Sequence, residues 1–297
     1  MRGLSLLLFC ILSLIWGTTW LAIKVVVREM PALSAAAVRF LAATLLLAAY
    51  ARLAGHRLGG LTPRERRVLT LLALIMIGIP YALVFYGEKF ISSALTAILF
   101  ASHPAFVLVL GTCYARRSLF TPTRLAGLLA SFAGLWIIFA PRLAGPPAEL
   151  RGMIAVLLAA LVSASALLVA KYMLAGIDLV VATTWQFAGG GLFLTAAAWW
   201  VERPVLSSYS PAAWLGLAYL TVFGSCLGFV LYYRMLRDIA PLQASSLSFI
   251  TPVVAVLAGW LILGEVLSPR TLVGAATVLA GLGLLHRPLP APAPAGD

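Results

Sequence analysis

Few residues in this chain have chemistry to offer, and most of them lie inside long apolar runs. Arg39 stands a short way into a run at 33–51, and His103 sits within another at 92–114. An arginine at the centre of a membrane helix costs about 2.5–3.5 kcal/mol on insertion scales and less near its end. A guanidinium facing a cavity would hold a carboxylate through two parallel hydrogen bonds. The competing accounts for Arg39 are snorkelling to the outer headgroups and bracing a main-chain carbonyl. An imidazole titrates near neutrality, so His103 is either a proton handle or a satisfied core histidine. Catalysis would need a fuller constellation. There is no HExxH motif and no pair of aspartates within the runs, and Gly224-Ser225-Cys226 has no evident base. An enzyme is not expected, nor a metal site, nor a cofactor.

Polar residues at helical spacing outline a candidate binding site. Ser92, Thr96 and His103 form one stripe with Phe100 between them, and Ser245, Ser248 and Thr251 form another before Pro252. Residues three and four apart share a helix face. Pro104 and Pro252 each remove a main-chain bond and are read as hinges, since freed carbonyls are tolerated against protein or a wet cavity. Ser163 and Gln186 are added from the second half of the chain. Trp16 and Trp20 share a face with Ser13 and Gly17, and Tyr81 and Phe85 with Gly78, giving aromatic walls suited to a planar or apolar group. Trp199, Trp200, Tyr209 and Trp214 fit the aromatic belts at membrane interfaces better. Glu88 and Glu265 end runs, and no acid lies at mid-depth. A cation carrier using a buried carboxylate is thereby disfavoured, and a neutral, zwitterionic or anionic cargo is expected.

The elements that must position these residues are membrane helices. Of 297 residues, 63% are apolar and 10% charged, far from a soluble chain with about a quarter charged. Continuous runs of about 20 residues fit spanning helices rather than barrel strands. They fall at 3–23, 33–51, 68–87, 92–114, 122–140, 152–173, 179–200, 211–233, 242–263 and 269–286. The first continues past Gly17-Thr18-Thr19 to Val27 without an A-x-A site, so it is read as a mature helix rather than a signal peptide. The net charge of +12 is spread in short clusters between runs, which argues against nucleic acid. Placing both termini in the cytoplasm puts thirteen Lys and Arg inside and seven outside, as the positive-inside rule prefers. The three cysteines, Cys10, Cys113 and Cys226, lie in apolar runs and offer no disulfide framework.

A shift of 147 residues lays the first half on the second. Lys24 falls on Lys171, Phe40 on Phe187, Arg39 on Gln186, Pro122 on Pro269, Gly127 on Gly274 and Gly134 on Gly281. With one residue of slippage, Pro104 meets Pro252 and Gly111 meets Gly259. Lys24 and Lys171 thus close the same helix in each copy, as end anchors or gating pairs, with snorkelling the simpler account. The predicted fold is an all-α integral membrane protein of ten helices in two five-helix repeats, 1–145 and 146–287, followed by a disordered tail, 288–297. An odd number of helices inverts the second copy, the signature of secondary transporters with a site near the midplane.

Three stretches carry a family resemblance. Tyr232-Tyr233-Arg234, Pro241 through Pro252, and Leu263-Gly264-Glu265 resemble the C-terminal half of EamA-type transporters of the drug/metabolite transporter superfamily. Trp16-Gly17, Tyr86 to Pro104, and Gly127 to Gly134 are similar to the N-terminal half. The resemblance implies a solute carrier of the bacterial inner membrane, often an exporter of amino acids or related metabolites, with a cavity between helices 1–4 and 6–9. Its partners would be a small-molecule substrate and membrane lipid, with no nucleic acid, and an oligomer is not required. Glu265 departs from symmetry, because Arg116-Arg117 stands at its equivalent place. Sugar or nucleotide-sugar transport is the alternative cargo class, and a non-transporting receptor or scaffold the alternative of another kind.

Overall fold

A computed structural model describes residues 3–115, 121–141, 145–203, 208–245 and 247–285, all helices and their connections. The expected tail at 288–297 and the pair Arg116-Arg117 lie outside the described residues. Among the described residues, eight helices are long and apolar enough to cross a membrane. They are α1 (Gly3–Val27), α2 (Ala32–Leu53), α3 (Pro63–Glu88), α4 (Ser93–Tyr114), α5 (Pro122–Phe139), α6 (Pro147–Met173), α7 (Leu179–Val201) and α8 (Pro211–Asp238). Two shorter apolar helices follow, α9 (Leu247–Leu263) and α10 (Pro269–Leu285).

Side-chain caps start at least half of these helices. Thr62 and Glu65 form a capping box ahead of α3, and Ser92, Thr121, Asp178 and Ser210 cap α4, α5, α7 and α8 with side-chain oxygens. Such caps satisfy main-chain N–H groups that a helix cannot satisfy itself. Large apolar side chains cover the outside of the bundle, Leu45, Trp199, Trp200 and Leu261 among them. A water-exposed surface would not tolerate so wide an apolar belt, whereas lipid requires it.

The two copies meet through equivalent helices running antiparallel. On α5 and α10, a Cβ added to Gly134 would lie 2.6 Å from the Gly274 carbonyl oxygen, and one added to Gly281 would lie 2.5 Å from that of Gly127. Residue numbers rise along one helix as they fall along the other. Because Gly127 is equivalent to Gly274 and Gly134 to Gly281, the contact is reciprocal, as across a two-fold axis. Helices α2 and α7 repeat the arrangement. Leu41 packs on Gly191, Leu33 and Ser34 donate their main-chain N–H groups to Glu202, and at the other end His56 Nδ1 lies 2.9 Å from Asp178.

Several expectations change in the structure. Helices α3 and α8 are not regular: each contains a π-helical stretch, Ala73–Gly78 and Leu220–Leu227, beginning 147 residues apart. Helix α4 breaks at Ala101-Ser102 into Ser93–Phe100 and His103–Ala115, so Pro104 does sit at a discontinuity. Pro252 does not, because it lies within α9, while the break falls earlier, between a single turn at Pro241–Ala244 and Leu247. Nor do the paired lysines snorkel. Lys24 Nζ donates to the carbonyls of Glu88 and Ile91 at 2.6 and 2.8 Å. Lys171 Nζ does the same for Leu236 and Ile239, also at 2.6 and 2.8 Å. Each ammonium caps the C-terminus of the third helix of its own copy, where carbonyls lack helical partners.

Candidate functional site

A cavity of about 870 Å³, its open mouth included, lies between α1, α3, α4, α6, α8 and the start of α9. Nine of the residues singled out in the sequence line it: Trp16, Trp20, Tyr81, Phe100, His103, Ser163, Ser245, Ser248 and Thr251. Trp20 packs on Phe100 at 5.3 Å, and Phe100 stacks on His103 at 5.7 Å with the rings 7° from parallel. His103 Nδ1 has no hydrogen-bond partner, although the ring lies within reach of the Ser163 main chain. The hydroxyl of Ser245 is spent on the carbonyl of Leu242.

Phe229 and Tyr232 complete the aromatic wall, with Trp16 4.9 Å from Tyr232 and 5.6 Å from Phe229. Sequence reasoning missed both as site residues, although Tyr232 belongs to one of the resemblance motifs. They stand three apart just after the π-helical stretch of α8, and that spacing was the available signal. Thr19 and Val84 also line the cavity. Among the described lining residues there is no carboxylate, lysine or arginine.

Four expected residues stand elsewhere. Arg39 is 1% exposed and lies one layer behind Tyr81. Its Nε donates to Ser225 Oγ at 2.8 Å, and its guanidinium carbon lies 4.8 Å from the Tyr81 ring, 5.0 Å from Phe40 and 5.9 Å from Phe85. Cation–π attraction in a desolvated setting is worth about 2 kcal/mol, so the aromatic cage replaces part of the lost hydration. Gly224 makes room for this, since a Cβ there would lie 3.1 Å from Arg39 Nη2. Phe85 belongs to the same cage. Gln186, the repeat partner of Arg39, is buried and accepts a hydrogen bond from the Tyr233 hydroxyl at 2.5 Å. Thr96 is fully buried and donates to the Ser92 carbonyl of its own helix.

The π-helical stretch of α8 ties this second layer to the cavity wall. Trp16 Nε1 donates to the Gly224 carbonyl at 3.3 Å, and Ser225 Oγ donates to Leu220 while accepting from Arg39. Widening a helix turn frees carbonyls for outside partners, and here a cavity tryptophan takes one of them.

At one end of the cavity the walls close. Gly87 and Gly152 bring α3 and α6 together so tightly that a Cβ on either would lie 2.9 Å from the other's carbonyl oxygen. Glu265 locks α4 alongside, accepting from Ser93 N at 3.0 Å, Ser93 Oγ at 2.8 Å and Ala94 N at 3.1 Å. Glu88, at the end of α3, is 0% exposed, and neither carboxylate oxygen has a hydrogen-bond partner among the described residues. Its place at the end of an apolar run gave no sign of such burial.

Comparison with known proteins agrees with this architecture. The EamA-like transporter family matches the chain twice, over residues 3–140 and 150–287. Protein PagO of Salmonella typhimurium is 29% identical over 98% of this chain and 96% of its own length. The uncharacterized inner membrane transporter YedA of Escherichia coli K12 is 29% identical over 86% of this chain and 82% of its own. A solved structure described only as a crystal structure of a protein shares the fold, with a TM-score of 0.69 at 17% identity over 96% of this chain and 98% of that one. With both halves matched separately, this multi-pass membrane protein belongs to the EamA-like transporter family.

Proposed function

We propose that the protein is a secondary transporter of small amphipathic metabolites, amino acids with large side chains foremost, working by alternating access. In this reading all ten helices span the bacterial inner membrane as two inverted five-helix halves, with both termini cytoplasmic. The reciprocal antiparallel contacts of α5 with α10 and of α2 with α7 support the inversion. The name of the Escherichia coli relative supports the membrane.

One observation carries the cargo class: the cavity pairs a wall of aromatic rings with hydroxyl and imidazole groups and has no fully charged lining residue among those described. An aromatic or long apolar side chain gains most from the rings. A zwitterion brings its own compensating charges and needs hydrogen bonds rather than a counter-ion. Arg39 serves this reading as a brace for Tyr81 and Ser225, not as a clamp on a carboxylate.

In this reading the cavity is reached from the end where α9 begins. Ser93, Ala94, Leu95 and Thr96 are all buried at the closed end, while their equivalents 148 residues on, Pro241, Leu242, Gln243 and Ala244, include two half-buried residues and an exposed one. With cytoplasmic termini that open end faces the cytoplasm, as an exporter awaiting cargo would.

Uptake of radiolabelled phenylalanine into proteoliposomes of the pure protein tests the proposal. Saturable exchange, competed by unlabelled tryptophan and lost in Ser163→Leu, is the expected result. No movement of any amino acid through folded protein would reject the cargo class, and sugars and nucleotides would then be screened.

A further inference from the structure

Beyond the cavity, at its closed end, lies a titratable group that nothing in the preceding reading uses. Glu88 is one helical turn past Val84, which lines the cavity, and Lys24 is one turn past Trp20, which also does. Lys24 spends its ammonium on the carbonyls of Glu88 and Ile91 and makes no ion pair within 4.0 Å of the Glu88 carboxylate. The other charges that act on this site are Arg39 from α2, Glu265 from beyond α9, and Arg28 through Lys24 on α1. Glu265 is engaged with the N-terminus of α4, and α6 sets Gly152 and Val156 against the neighbouring Gly87.

A carboxylate without hydrogen bonds, out of water, is among the most costly groups a protein can bury. Glu88 directly follows Gly87, the point at which α3 meets α6 most closely. We propose that Glu88 is a proton-binding site linked to the gate: one proton must join its carboxylate for the α3–α6 end to close, and that proton leaves when the end opens. The step balances simply. A carboxylate oxygen takes H⁺ from water at the open gate, its negative charge is neutralised, and the acid returns the proton to water when hydrated again. Lys24 stays tied to the main chain of the same helix end. The inference rests on the carrier reading only in supposing that this end opens.

The test reports the gate and not the cargo. With Cys10, Cys113 and Cys226 replaced by serine, Ile91→Cys supplies a single thiol at a residue that is buried, its side chain against Gly152. Labelling by a membrane-impermeant reagent, corrected for thiolate content with a free-thiol control, is followed against pH. The labelled fraction is expected to rise with pH by up to about tenfold per unit, the limit for one linked proton. In Glu88→Gln, which mimics the neutral acid, labelling should be low and flat. Glu88→Met, apolar and of similar length, gives the same expectation should the glutamine variant not fold. A flat profile in the chain carrying Glu88, or an unchanged slope in a folded Glu88 variant, overturns the proposal. Phenylalanine exchange in the same liposomes separates the two readings, because its failure rejects the cargo while the labelling profile still judges Glu88.

Discussion

Phe40 and Phe187, 147 positions apart in the sequence and equivalent in the two repeats, meet edge to face with ring centroids 5.1 Å apart. Equivalent residues touch each other only on a two-fold axis, so this pair marks where the halves turn about one another. Both rings are fully buried. A double-mutant cycle of Phe40→Leu and Phe187→Leu should show a coupling of about 0.5–1.5 kcal/mol. Denaturant unfolding in detergent measures it, and strict additivity would show that the rings only fill space.

The glycine seam between α5 and α10 makes a sharper demand. Gly134→Val should destabilise the protein by about 1–3 kcal/mol, because the new side chain collides with main chain that cannot move aside. Gly283→Ala, with no atom within 4 Å of its Cβ, should change the melting temperature little. Equal losses in the two variants would mean that helix propensity, not close approach, explains the glycines.

Lys24 and Lys171 perform matched tasks, so their loss should be matched too. Removing either leaves carbonyls at a helix end without a charged donor, and such hydrogen bonds are worth about 1.5–3 kcal/mol. Lys24→Met and Lys171→Met should therefore lower stability by comparable amounts in thermal melts. A loss confined to Lys24 would assign the effect to its neighbour Glu88 instead.

Acid should loosen the N-terminus of α7. Burial tends to raise the carboxyl of Asp178, but the main-chain N–H groups of Val181 and Val180 and the His56 ring outweigh it and hold the group below the usual aspartate range. A depressed value means stability that is present above the unfolded pKa, about 3.9, and lost as pH falls through the folded one. Asp178→Ala should cost about 1 kcal/mol at neutral pH, as capping residues do. Asp178→Asn, which still accepts the main-chain bonds, should cost less. Melting curves of the three proteins against pH decide it: the parent curve should fall towards that of Asp178→Asn at the acid end, while Asp178→Ala stays below both.

Much of this was legible from residues alone. Apolar runs located the helices, since lipid leaves the main chain no other option. The Lys, Pro and Gly matches at a fixed offset located the repeat. The cavity faces of α1 and α4 followed from helical spacing, which is why Trp16, Trp20, Phe100 and His103 were found together. Arg39 was misread for a physical reason: periodicity tells which residues share a face, but not which layer that face meets. Its aromatic cage draws on Tyr81 and Phe85 from another helix, and its hydrogen bond on Ser225 from a third. Glu88 escaped for the same reason, because its burial is set by packing between helices and not by its own run.

The matched π-helical stretches join the two copies. Such a stretch is rare inside an α-helix and is frequent at functional sites. Ala73–Gly78 and Leu220–Leu227 begin at equivalent places in two halves that each match one family unit. Each copy thus carries an interruption at the same place in its third helix. Gly224 and Ser225 hold Trp16 and Arg39, so an irregularity of the second copy anchors side chains that the first copy contributes.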